Sequence, residues 1–326
     1  MVENKDLLKL KQKYESNLLR IKGVTGVDLN SSIIVYVEKF TPQLAQFLPR
    51  TLEGVPVKVI ETGPIGLLSF PIVSAIYASR TERVRPAPGG ISIGHPDISA
   101  GTLGCRARDR ATRKISGLSN NHVLYGEWGA NPGGSRGDPI YQPGPADGGG
   151  SGDEIGTLER WVPVKLEEPN LVDAAIFYSD ELTENILEVG KPSQTLEELY
   201  PGMLLKKSGA RSGLTFSKVL GVNATLKVEG WGEAIFHDQI VAMPALAIPG
   251  DSGSWVGGDN DGTVGLVYAG STAITAICKA TNIEKLLNIE IIPPTSYMSG
   301  VTMLGAWGSI LGIGAVITSA FPARRM

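Results

Sequence analysis

The sequence predicts a mainly β protein in which two antiparallel β-barrels follow a small α+β unit. Glycine (41 residues) and proline (21) are abundant in the 326-residue chain, which suits many tight turns better than a helical bundle. From about residue 84 to 288, β-rich runs such as KVLGVNATLKVEG alternate with turn-rich stretches such as DPIYQPGPADGGGSGDEIGTL. Clear helical spacing is confined to the start, where Leu7, Leu8, Leu10, Tyr14, Leu18 and Leu19 recur on one face.

Taken in order, residues 1–75 form the α+β unit: that helix, then SSIIVYVEK and VPVKVIETG as strands separated by TPQLAQFLPR. No motif in it carries chemistry, so packing, oligomerisation or regulation is its expected role. Residues 76–292 hold the barrels, about 84–180 and 203–290, and the more polar, helix-like stretch 181–202 links them. Residues 293–326 form a hydrophobic C-terminal segment in which 301–321 lack any charge.

Charged residues make up 19% of the chain, its net charge is −3, and no run of Lys or Arg reads as a nucleic-acid footprint. Nucleic acid is therefore excluded as an expected partner. The two cysteines, Cys105 and Cys278, are far apart and in no metal-ligand spacing, so two buried free thiols are expected, with no metal and no cofactor. Glu3, Lys5, Asp6 and Lys9 occupy the region where a secretory signal would be apolar, so no cleaved signal peptide is expected. As a helix rising ~1.5 Å per residue, 301–321 would span the ~30 Å hydrocarbon layer. Two readings stay open: a membrane anchor leaving the barrels in the cytoplasm, or a segment buried between the subunits of a homo-oligomer.

The strongest chemical signal is Pro249-Gly250-Asp251-Ser252-Gly253-Ser254. Glycines flanking a serine let the backbone turn sharply and present the hydroxyl, while the amides of Gly250 and Ser252 converge as an oxyanion hole. A serine hydroxyl needs a base, and the chain has only three histidines. His122 ends a short apolar run at a strand-to-loop junction and is the expected base; His95 and His237 are the alternatives. The third group must be a carboxylate buried against the imidazole. Asp173, a single acid entering the apolar strand NLVDAAIFYS, fits, because a charge there is costly without a waiting partner. Asp138, Asp147 and Asp153 lie in Gly- and Pro-rich loops that turn chemistry explains.

These residues resemble the chymotrypsin-like serine peptidases: the chain order His, Asp, Ser, with LSNNHVL, VDAAIF and GDSGS as the three motifs, covers about residues 90 to 285. LLKKSGARSGLTFSKVLGV is similar to a strand pair of many bacterial members. The N-terminal unit, the QPGPADGG loop and PGDSGSWV look closest to the bacterial and plant branch that includes the plant narrow-leaf protein. The resemblance implies two six-stranded antiparallel barrels and a serine endopeptidase acting on polypeptides through an acyl-enzyme formed on Ser252 with His122 and Asp173. It also implies that Leu246 lies at the base of the primary substrate pocket and that Tyr268, Ala269 and Gly270 form its wall. A catalytically silent scaffold or self-assembling interaction protein on the same fold is the alternative. In digestive members the acid beside the serine pairs with a new N-terminus released by cleavage; here a whole unit precedes the barrels, so Asp251 is expected to have another partner or none.

Overall fold

The computed structural model describes residues 4–67, 78–128, 131–230 and 232–291. Helix α1 (Asn4–Leu19) precedes β1 (Val24–Leu29) and β2 (Ile33–Val37); one turn of helix, α2 (Pro42–Ala45), follows, capped by Thr41, whose hydroxyl accepts the Leu44 amide. Strands β3 (Thr51–Leu52), β4 (Val55–Glu61) and β5 (Gly66–Leu67) complete the N-terminal unit. Its core packs Leu7, Leu10, Leu18 and Leu19 of the helical stripe against Val27, Ile33, Val35 and Val37 of the sheet. The periodicity therefore reports a real apolar face.

The first half of the remaining chain supplies five strands of a six-stranded antiparallel sheet. It comprises β6 (Cys105–Asp109), β7 (Ile115–Ser119), β8 (Pro139–Tyr141), β9 (Glu154–Trp161) and β10 (Ala175–Tyr178), in the order β8-β9-β10-β7-β6. A short helix, α3 (Asn121–Leu124), follows β7 directly. The second half supplies β11 (Leu204–Gly209), β12 (Gly213–Val228), β13 (Ala234–Met243), β14 (Trp255–Gly257), β15 (Gly262–Gly270) and β16 (Thr275–Lys279). Their pairings run β11-β14-β15-β16-β13-β12, and β12 pairs back to β11, closing a six-stranded ring. Helix α4 (Ala280–Leu287) then carries the chain back to the first sheet, where β17 (Ile289–Ile291) adds beside β6. The mainly β architecture expected from the turn-rich composition is what the chain adopts.

The N-terminal unit shares a sheet with the second half. β12 outruns the ring and pairs with β1, Gly26 opposite Leu226 and Val27 opposite Thr225. The two expected thiols, Cys105 and Cys278, are both buried and free. The stretch 181–202 differs from expectation: it forms strands Leu182–Ile186 and Ser193–Thr195, which pair in parallel with Ala87–Gly89 and with β15. Its leucines and glutamates favour a helix only weakly, and ladder pairing together with Gly190 at φ 85° and Pro192 overrides that preference. Among the described residues no helix is long and apolar enough to cross a membrane, and 301–321 lie outside them.

Asp28 is the one acid in the seam between β1 and β12, fully buried, accepting the Leu29 amide (2.7 Å) and the Tyr36 hydroxyl (3.1 Å). Burial pushes its carboxyl up to about 6, against an ordinary 3.8. The folded state thus binds this proton more tightly than the unfolded one, so stability is gained as pH falls from 7 through 6 toward 4. The gap between the two values corresponds to roughly 3 kcal/mol. Urea unfolding of Asp28→Asn should show a flatter dependence of stability on pH between 7 and 5 than the parent chain; an unchanged slope would remove Asp28 from this role.

Candidate functional site

The site forms where the first sheet meets the second. Strand β7 ends at Ser119, and α3 then turns His122 inward; the backbone amide of His122 donates to Asp173 Oδ1 (3.2 Å) and its Nδ1 is hydrogen-bonded to Asp173 Oδ2. Both side chains are essentially buried. Asp173 precedes β10 and is fixed by its own backbone as well: Asn120 Nδ2 donates to its carbonyl (2.7 Å) and its amide donates to Cys278 Sγ (3.2 Å). The bond from Nδ1 to the carboxylate fixes the orientation of the imidazole.

Ser252 sits in the loop between β13 and β14, and Thr102 fastens that loop to the first half of the molecule. The Thr102 amide donates to the Ser252 carbonyl (2.7 Å), its hydroxyl donates to the Gly250 carbonyl (2.9 Å), and its carbonyl accepts from Ser119 Oγ (2.7 Å). Ser119 is three residues before His122, so this one threonine ties the serine loop to the turn that carries the base. Gly253 makes the close approach feasible: at φ 88°, a Cβ there would lie 2.0 Å from Ser119 Oγ and 2.4 Å from the Thr102 carbonyl. Ser252 Oγ is buried and has no hydrogen-bond partner among the described residues. The amides of Asp251, Gly253 and Ser254 are used within the loop and by Val267, whereas those of Gly250 and Ser252 donate to nothing among the described residues.

Of the two outcomes left open for Asp251, the structure shows a partner, Lys207. Its carboxylate lies 3.2 Å from Lys207 Nζ with both side chains fully buried, and it accepts the amides of Arg211 (2.9 Å), Ser212 (3.1 Å) and Ile248 (3.0 Å) and the Ser212 hydroxyl (2.5 Å). Burial pushes the Lys207 ammonium down while Asp251 pulls it back up. Arg211 reaches the other way, gripping Asp147 with both guanidinium nitrogens (2.8 and 2.9 Å), and Asp147 also accepts from Ser92 Oγ (2.5 Å). The QPGPADGG loop is thus anchored by a charge pair to the β11–β12 turn, whose Arg211 amide in turn holds Asp251, beyond the turn chemistry expected of Asp147. The extra hydroxyl of Ser254 donates to the Asp251 carbonyl (2.5 Å), which leaves the turn intact.

The other expected residues fall as follows. His95 bonds Asp138 (3.2 Å) through Nε2, and its amide donates to the Val123 carbonyl, so it braces α3. His237 lies on β13 beside Glu15, half-buried. Leu246 is buried in a core with Met203, Val219 and Ile240. Tyr268 is fully buried with its ring tilted on Phe236 at 4.9 Å between centroids, and burial pushes its phenol well up. Ala269 and Gly270 are edge residues of β15 paired with Leu67 and Gly66. Among the described residues no group of His, Cys, Asp and Glu side chains could hold a metal ion.

Sequence reading missed Thr102, Lys207, Arg211 and Asp147 as parts of the site. Lys207 left a trace: on an alternating strand, adjacent lysines cannot both face solvent, and the buried one must meet an acid. Removing that partner should strand a buried carboxylate. Lys207→Met is therefore expected to lose about 3–5 kcal/mol of stability in urea unfolding, and the double variant Lys207→Met, Asp251→Asn should recover much of it; equal losses in both would mean the pair is not coupled.

No family model and no curated protein matches the chain. Solved structures similar to it include Thermobifida fusca protease A (15% identity, 63% of this chain and 97% of that one, TM-score 0.45). A Nocardiopsis protease (17%, 63% and 97%, 0.46) and a glutamic-acid-specific serine protease that uses a histidine triad in substrate binding (16%, 63% and 100%, 0.45) are similar as well.

Proposed function

We propose that the chain is a serine endopeptidase, and that within the chymotrypsin-like peptidases it stands with the bacterial and plant branch that includes the plant narrow-leaf protein. The observation that carries the reading is the pairing of His122 with Asp173 three residues past Ser119, which Thr102 ties to the serine loop, together with a Ser252 hydroxyl and two amides that meet no partner among the described residues. His122 Nε2 takes the proton from Ser252 Oγ as that oxygen attacks a peptide carbonyl. The amides of Gly250 and Ser252 hold the oxyanion, and His122 hands its proton to the leaving amine. Water, deprotonated by the same nitrogen, then releases the acyl group. Asp173 stabilises the imidazolium.

A fluorophosphonate probe tests this without knowledge of the substrate, because it reacts with a serine whose base and oxyanion hole are assembled. The folded chain should be labelled, Ser252→Ala should lose the label, and His122→Ala should lose nearly all of it. Asp173→Asn should fold and label slower by up to about 10⁴. A well-folded chain that never labels would favour the silent-scaffold alternative. Leu246 at the base of the primary pocket puts no acid there to meet a Lys or Arg. Peptide-library profiling should therefore select uncharged small or medium apolar side chains before the scissile bond, at about 0.8 kcal/mol per buried methylene; selection of basic residues would discard that pocket.

A further inference from the structure

The edge of β15 beside the serine loop is filled by the chain's own N-terminal unit. One edge of β15 is covered along its length by β16. The other meets β14 at Thr263–Leu266, then the serine loop itself, where Gly253 N donates to the Val267 carbonyl (2.9 Å) and Val267 N to the Ser254 carbonyl (3.0 Å). Ala269 and Gly270 come next, and they pair antiparallel with Leu67 and Gly66. As the chain runs from Gly66 to Leu67, its partner moves from Gly270 to Ala269, toward Val267 and the Ser252 turn. An extended polypeptide adding to this edge in the same direction would deliver its next peptide bonds to Ser252, since strand addition supplies backbone hydrogen bonds and fixes register.

Strand β5 is wedged in place from its other side. Glu229 N, just past β12, donates to the Ile65 carbonyl (3.0 Å), and Gly66 bridges Glu229 in parallel. Leu67 lies against Gly230, where φ is 120° and a Cβ would stand 2.6 Å from Leu67 Cδ1. Only two residue pairs hold β5 to β15, which makes it displaceable by a longer strand. In this state Ser252 and His122 are each 1% exposed, so both side chains lie below the surface.

We propose that Gly66–Leu67 occupies in cis the strand edge on which a polypeptide substrate pairs, so that the chain inhibits itself until β5 is displaced. The inference rests on the serine-peptidase reading above. Deleting the whole N-terminal unit is a poor test, because β1 is part of the β12 sheet. Gly66→Pro, which removes one ladder amide, and the milder Leu67→Ala loosen β5 alone. Both variants should label with fluorophosphonate and cleave an extended peptide at least tenfold faster than the parent. A synthetic peptide of residues 62–67 (TGPIGL) should inhibit the loosened variants competitively. If parent and variants label at the same rate, within twofold, and the peptide does not compete, the inference is overturned while the peptidase reading stands. If none of them labels, the peptidase reading falls and takes the inference with it.

Discussion

The buried ion pair of Asp251 with Lys207 is the contact on which the shape of the serine loop depends. A carboxylate with no solvent access must be matched by charge and hydrogen bonds, and here Lys207, Ser212 and three backbone amides match it. Held by both oxygens, Asp251 cannot rotate, so the residues on either side of it are fixed too. Gly250 takes φ 92°, the Ser252 hydroxyl is buried, and the amides of Gly250 and Ser252 meet no partner among the described residues. Because Lys207 comes from β11 within the same barrel, the arrangement requires no new N-terminus.

A second layer of contacts makes the site a joint between halves. Thr102 and Ser119 bind the serine loop to the strand leading to His122, and Arg211 with Asp147 joins the β11–β12 turn, which holds Asp251 through its amides, to the QPGPADGG loop. Asp173 is held by Asn120 from the first sheet's turn and by Cys278 from the second barrel. The three chemical groups thus come from three separate stretches of chain but share one set of braces. The N-terminal unit enters the same design through β12, which is long enough to be a barrel strand at one end and a partner of β1 at the other, and through β5, which reaches the serine loop's own edge.

What the sequence disclosed and what it hid divide along physical lines. His122, Asp173 and Ser252 stood out as candidates because each is locally odd: an imidazole where a strand ends, a lone acid in an apolar run, a serine beside glycines. The helical stripe of α1 and the strands of the first unit were legible because burial imposes their period. Asp147 looked like a turn residue because its partner, Arg211, is distant in sequence, and local pattern carries no information about such a pair. The stretch 181–202 looked helical because leucine and glutamate prefer helices slightly, and pairing with β15 and with Ala87–Gly89 outweighs that preference. The role of β5 was invisible for the same reason: a glycine and a leucine in a loop acquire meaning only from the strand they lie against.

The central claim is that Lys207, acting on Asp251, assembles the nucleophile in the uncut chain. Mass spectrometry of the intact protein after exposure to an activated ester such as p-nitrophenyl acetate tests it most directly. The account predicts one acyl group per chain, mapped to Ser252 and absent in Ser252→Ala, on protein whose mass is otherwise that of the full sequence. Acylation that appears only on chains shortened by proteolysis would contradict it.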